Sequence, residues 1–147
     1  MFEGLEGRTR NSAEATVVKF LRERADEILE FTCELIRTPS VNPPGDEVPI
    51  SKVILEKLRV LGVTERRIVG ALDERPNVLA HVQGTEPGRT MMLSGRIDTK
   101  PPGNLDEWKT NPHEPVVVDD QLIGLGSGDM KGAIAGMVYA AAALANL

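Results

Sequence analysis

The stretch Gly124-Leu125-Gly126-Ser127-Gly128-Asp129-Met130-Lys131-Gly132 constrains this chain more than any other. Glycine reaches backbone conformations closed to other residues and lets the main chain approach a neighbour closely. The run is followed by residues 132–147, which carry no charge, so it reads as a tight turn at the mouth of a helix with Asp129 inside it. Upstream, the apolar residues 90–93 read as a strand that runs out into Gly95-Arg96-Ile97-Asp98-Thr99. Asp98 then stands at a strand's C-terminal end, where α/β folds place their ligands. Two carboxylates, one at a strand-to-loop junction and one at a loop-to-helix junction, are how such a fold gathers ligands for a metal.

Each of these residues also has a plainer role. An Asp at a helix start is stabilised by the helix dipole, by about 0.3–1 kcal/mol, and needs no ligand. The density of glycine around Asp129 argues against a simple cap, because a cap requires one polar side chain and not a run of glycines. Asp98 can pair with Arg96 two residues before it, an exposed contact worth about 0–1 kcal/mol. Lys131 either neutralises Asp129 or points to water, and the sequence does not choose. Trp108, the single Trp, either walls a cleft or sits at the core's edge. His81 reads as a structural strand residue and His113, between Pro112 and Pro115, as a surface loop residue. A phosphate loop is the weaker reading: position 129 breaks G-x-G-x-x-G and Lys131 does not complete a G-x-x-x-x-G-K-[ST] frame.

The rest of the chain reads as alternating helices and strands. Asn11 with Glu14 resembles a capping box. Val17, Leu21, Ala25, Ile28, Thr32 and Leu35 then follow at helical spacing, predicting one long helix that Pro39 ends. A second amphipathic helix is predicted over residues 49–61, stopped by Gly62. Strands are predicted over 63–69, 77–82 and 90–93, the last two joined by the turn-prone residues 84–88. Residues 100–115 read as an ordered loop, and 116–118 with 122–123 as a short hairpin. This order implies an α/β class: a partial three-layer sandwich, a mixed sheet flanked by helices. Residues 1–12 read as a tail and 13–147 as one α/β unit, expected to be truncated because the last helix ends the chain.

The 147 residues carry a net charge of −5 with basic residues scattered, which disfavours nucleic acid as a partner. The uncharged C-terminal stretch is shorter than the ~20 residues a membrane span needs, so no membrane partner is expected. Aromatics are 3% of the chain, so the core must be aliphatic. Cys33 is the single cysteine and reads as a packed thiol; with the absence of a secretory pattern in the first residues, it suggests a cytoplasmic setting.

Several blocks, in order, resemble the dizinc aminoacylase–carboxypeptidase family of metallopeptidases, which includes acetylornithine deacetylase and succinyl-diaminopimelate desuccinylase. They are Leu35-Ile36-Arg37-Thr38-Pro39-Ser40-Val41-Asn42-Pro43-Pro44, Arg75-Pro76-Asn77-Val78-Leu79-Ala80, Ser94-Gly95-Arg96-Ile97-Asp98-Thr99, Trp108, Asn111-Pro112, and the glycine run 124–132. The resemblance implies a metal-dependent amidohydrolase acting on N-acyl amino acids or small peptides, with residues 13–147 as the N-terminal portion of its zinc-hydrolase catalytic domain. It implies two zinc ions, with cobalt as a substitute, and places Asp129 on the carboxylate that bridges them. Asp98 falls on the aspartate that orients a metal-bound imidazole. Arg96 falls where the family has that ligating His, and a guanidinium has no lone pair to donate. The general-base glutamate, further acidic ligands, a distal His and the dimerisation domain through which members often form homodimers would all lie beyond this segment. The chain alone is therefore expected to be inactive. The alternative is a non-catalytic relative or interaction module that has exchanged metal for an Arg96–Asp98 pair.

Overall fold

The structure, a computed structural model, describes residues 11–147. Residues 1–10 of the expected tail lie outside the described part. The chain is mixed α/β: α1 (Ser12–Glu23), α2 (Ala25–Arg37), α3 (Val48–Val60), β1 (Glu65–Val69), β2 (Asn77–His81), β3 (Val116–Val118), β4 (Gln121–Ile123) and α4 (Gly132–Ala145). The α/β class stands. The described strands form two small antiparallel pairs, β1 with β2 and β3 with β4, and are not joined into one sheet.

The long helix is broken once. Asn11 caps α1 as expected, its Oδ1 accepting the Glu14 N–H at 2.8 Å. At Arg24 the backbone leaves helical geometry (φ −114°, ψ 19°), and α2 starts at the next residue. The Arg24 guanidinium lies 3.9 Å over the Phe20 ring, a cation–π contact that fastens the bend. The bend separates two different environments. No residue of α1 is buried, whereas α2 buries Phe31, Thr32, Cys33, Leu35 and Ile36. Apolar spacing ran through position 24 and so gave no sign of the change.

Helix α3 ends in a Schellman motif. Gly62 (φ +85°) donates to Arg59 O at 3.1 Å and Val63 to Leu58 O at 2.9 Å. Those bonds satisfy carbonyls that the helix end would otherwise leave bare. Val63 and Leu58 are both buried, so the motif also delivers the chain into the core.

The core sits between α2, α3 and α4. Phe31 and Leu35, Ile50, Ile54 and Leu58, and Ile134, Val138, Tyr139 and Ala142 form one buried cluster. The core is not the wholly aliphatic one expected: Phe31 and Tyr139 are both buried in it and meet with ring centroids 6.2 Å apart, tilted by 52°. Burial, with Glu27 nearby, pushes the Tyr139 hydroxyl up to about 12. Ala135, Ala142 and Ala143 let α4 pack closely. α4 has 14 residues, and no described helix is long and apolar enough to cross a membrane.

One expected strand is absent. Residues 90–93 take no regular structure, and Met91 and Met92 are 70% and 84% exposed. β2 pairs instead with β1, in the register Glu65↔His81 to Val69↔Asn77. An apolar run becomes a strand only where another strand accepts its main-chain groups, and none of the described residues does so for 90–93. The hairpin β3–β4 forms as expected, with Val116 opposite Ile123 and Val118 opposite Gln121. Its two turn residues, Asp119 (φ 49°) and Asp120 (φ 60°), are both left-handed, as a type I′ turn demands.

Candidate functional site

The segment 96–99 and the loop leaving α2 lie side by side, and this juxtaposition builds the site. Thr99 N donates to Ser40 O at 2.9 Å and Asn42 N to Thr99 O at 2.8 Å, giving a parallel bridge between Val41 and Thr99. Ser40 Oγ donates to Ile97 O at 2.8 Å. Asp98 is thereby fixed in main-chain position. Its side chain is fixed as well: Asn42 Nδ2 donates to Asp98 Oδ2 at 2.9 Å. Asn42 is held in turn by Arg75, whose Nη2 donates to Asn42 Oδ1 at 2.8 Å and to Pro44 O at 3.0 Å. This relay is invisible in the sequence, because an Asn and an Arg in separate loops show no spacing that links them.

The glycine run closes on the same place. Gly126 takes φ +80°, and a Cβ there would lie 2.6 Å from Thr99 Cγ2, so both the conformation and the close approach require glycine. The turn Ser127–Lys131 is not a regular helix. Asp129 (φ −137°, ψ 89°) and Met130 (φ −142°, ψ 36°) are swung out of helical geometry, and the peptide between them is cis. Lys131 N donates to Gly126 O at 2.8 Å, and the chain enters α4 at Gly132. Asp129 therefore stands before the helix rather than as its cap, as the glycine density implied. Its side chain is 75% exposed.

Arg96 joins the two carboxylates. Its Nη2 is ion-paired with Asp129 Oδ2, and its Nη1 lies 4.0 Å from Asp98 Oδ1. The Arg96–Asp98 pair expected from sequence is thus the looser of two contacts, at the limit of an ion pair. Arg96 N also donates to Met130 Sδ at 3.4 Å, a weak bond that ties the same two segments through the main chain.

Lys131 takes neither of the roles open to it in sequence. It is buried, 2% exposed, and its Nζ donates to Leu35 O at 2.6 Å and Thr38 O at 2.9 Å. These are carbonyls at the C-terminal end of α2, where a cation is favoured by the helix dipole. Burial pulls its pKa from 10.5 down to about 8.

The other candidates lie apart. His81 Nδ1 is 2.9 Å from Glu65 Oε2 across the β1–β2 ladder, an exposed pair. His113 N donates to Asn111 Oδ1 at 3.0 Å, and its ring Nδ1 is buried with no hydrogen-bond partner among the described residues. Trp108 Nε1 donates to Pro102 O at 2.8 Å, which braces the loop between β2 and β3. Cys33 is buried, and desolvation pushes its thiol pKa up, so it is a packed thiol and not a nucleophile.

Residues 92–147 match the model of peptidase family M20/M25/M40. The matched segment contains Arg96, Asp98, Asp129 and Lys131, and leaves out α1 to α3. The match supports a metallopeptidase relationship for that part of the chain. Peptidases of this family are generally metal-dependent, but the donor set at this site does not fit a divalent ion. Among the described residues no group of three or more His, Cys, Asp or Glu could hold one. Asp129 is the exposed carboxylate best placed to serve, and it is already bound by a permanent cation.

Proposed function

We propose that this chain carries part of a metal-dependent hydrolase domain that, in its complete form, cleaves C–N amide bonds in N-acyl amino acids or small peptides. The observation that supports this best is the match over 92–147, because it encloses both carboxylates that the fold brings to one guanidinium. In this reading Asp129 is the carboxylate that would bridge two zinc ions (cobalt serving in substitution), and Asp98 is the group that orients a ligand. Arg96 occupies that ligand's position. The acylated substrate is the small-molecule partner, homodimerisation belongs to residues outside 1–147, and the setting is cytoplasmic. With Arg96 in place the chain performs no hydrolysis.

The contact between Arg96 and Asp129 favours a second reading, a non-catalytic relative that keeps the fold and uses this surface for interaction. A graft separates the two. Residues 92–147 replace the matching segment of an active M20 peptidase, with and without Arg96→His, and hydrolysis of N-acetyl and N-succinyl amino acids is followed. The hydrolase reading expects an inactive graft with Arg96 and an active one after Arg96→His. A correctly folded graft that stays inactive with His at 96 sinks it and leaves the interaction module.

A further inference from the structure

We propose that the Arg96 guanidinium is a tethered cation that holds Asp98 and Asp129 together and keeps divalent ions out of the space between them. The proposal deepens the hydrolase reading and rests on its assignment of Asp129.

Three observations carry it. The guanidinium makes its closest contact with Asp129 and its second with Asp98, so it stands where both carboxylates direct negative charge. Asp98 cannot swing away from it, because the Asn42–Arg75 relay holds its other oxygen at 2.9 Å. Arg96 is itself steadied by its main-chain bond to Met130 Sδ. A guanidinium cannot lose its proton at any ordinary pH, so the occupant is permanent. It is also attached to the chain, so it forfeits no translational freedom in binding, whereas a free ion does. A divalent ion arriving here meets a fixed positive charge and must also displace an ion pair.

The same contact gives the turn its direction. The glycine run places Asp129 outside helical geometry with three-quarters of its side chain in water, and such a carboxylate needs a counter-charge to hold its direction. Arg96 supplies that charge from the neighbouring segment. The turn is thereby stitched to 96–99 both by this ion pair and by the close approach of Gly126 to Thr99.

The experiment is cobalt uptake by the 147-residue chain, read from the visible absorption of bound Co²⁺ and by equilibrium dialysis, with circular dichroism to verify folding of each variant. The wild type and Arg96→Lys, which keeps a cation, are expected to take up no cobalt. Arg96→His is expected to gain affinity by on the order of ten-fold or more, a lower bound for removing a unit charge a few ångström away. Arg96→Gln, neutral and similar in length, gives a second uncharged variant should Arg96→His fail to fold. Adding Asp129→Asn to either should abolish the gain. Uptake by wild type equal to that of the neutral variants overturns the proposal. So does no uptake by any variant, uptake by Arg96→Lys, or a gain that survives Asp129→Asn. The hydrolase reading fails by a different signal: cobalt uptake by Arg96→His in this chain beside a graft that remains inactive.

Discussion

Lys131 stands two residues from Asp129, yet it turns away and spends both observed hydrogen bonds on main-chain carbonyls at the end of α2. Sequence offered a counter-ion or a solvated lysine, since neither candidate acceptor is a side chain and carbonyls leave no trace in composition. Asp129 was legible because glycine clustering marks a strained turn, whereas Asp98 was reached through an expected strand end at 90–93 that the structure does not form. Asn42 and Arg75 were not legible, because contact between distant loops is a property of the fold. The burial of Lys131 has a pH consequence. Its pKa is about 8 in the folded chain and near the ordinary 10.5 when unfolded. Between those values the unfolded chain holds the proton more tightly, so stability rises with pH. The contribution is complete above the unfolded value and is lost as pH falls through the folded one. Urea unfolding of wild type against Lys131→Met across that window should show the rise in wild type alone; parallel profiles would contradict it.

At the scale of elements, α3 was readable to within a residue, because Ile50, Ile54 and Leu58 keep helical spacing and Gly62 ends the run. The break at Arg24 was hidden, because Leu21, Ala25 and Ile28 preserve that spacing across it. Residues 90–93 were misjudged for another reason: a strand is defined by its partner, and an apolar run does not name one. The β3–β4 hairpin was readable from its two valine- and isoleucine-containing runs separated by Asp119-Asp120-Gln121. Its turn is strained, since non-glycine residues occupy two left-handed positions. Asp120→Gly should therefore stabilise the chain by about 0.5–1 kcal/mol, by removing the side-chain penalty at positive φ. The urea midpoint measures this, and an unchanged or lower midpoint would show that the Asp120 side chain contributes more than its strain.

For the whole molecule, the apolar surface is divided unequally. The faces of α2, α3 and α4 are sealed against one another, while Met91, Met92 and Leu93 present thioether and isobutyl groups to water on a segment that pairs with no strand among the described residues. Such a segment is a template for association between copies. In sedimentation velocity the average mass of wild type should climb with concentration, and that of Met92→Lys should climb less. Equal curves would place the association elsewhere or nowhere. To a trypsin-like protease, meanwhile, the basic residues of this chain are not equivalent. Lys109 lies in an exposed loop and is open to cleavage in the native state, whereas the bond after Lys131 is sealed under α2 until the three-helix core parts. The fragment that begins at Gly132 is thus a clock: its rate of appearance counts openings of the core, while the cut after Lys109 counts only encounters with the enzyme.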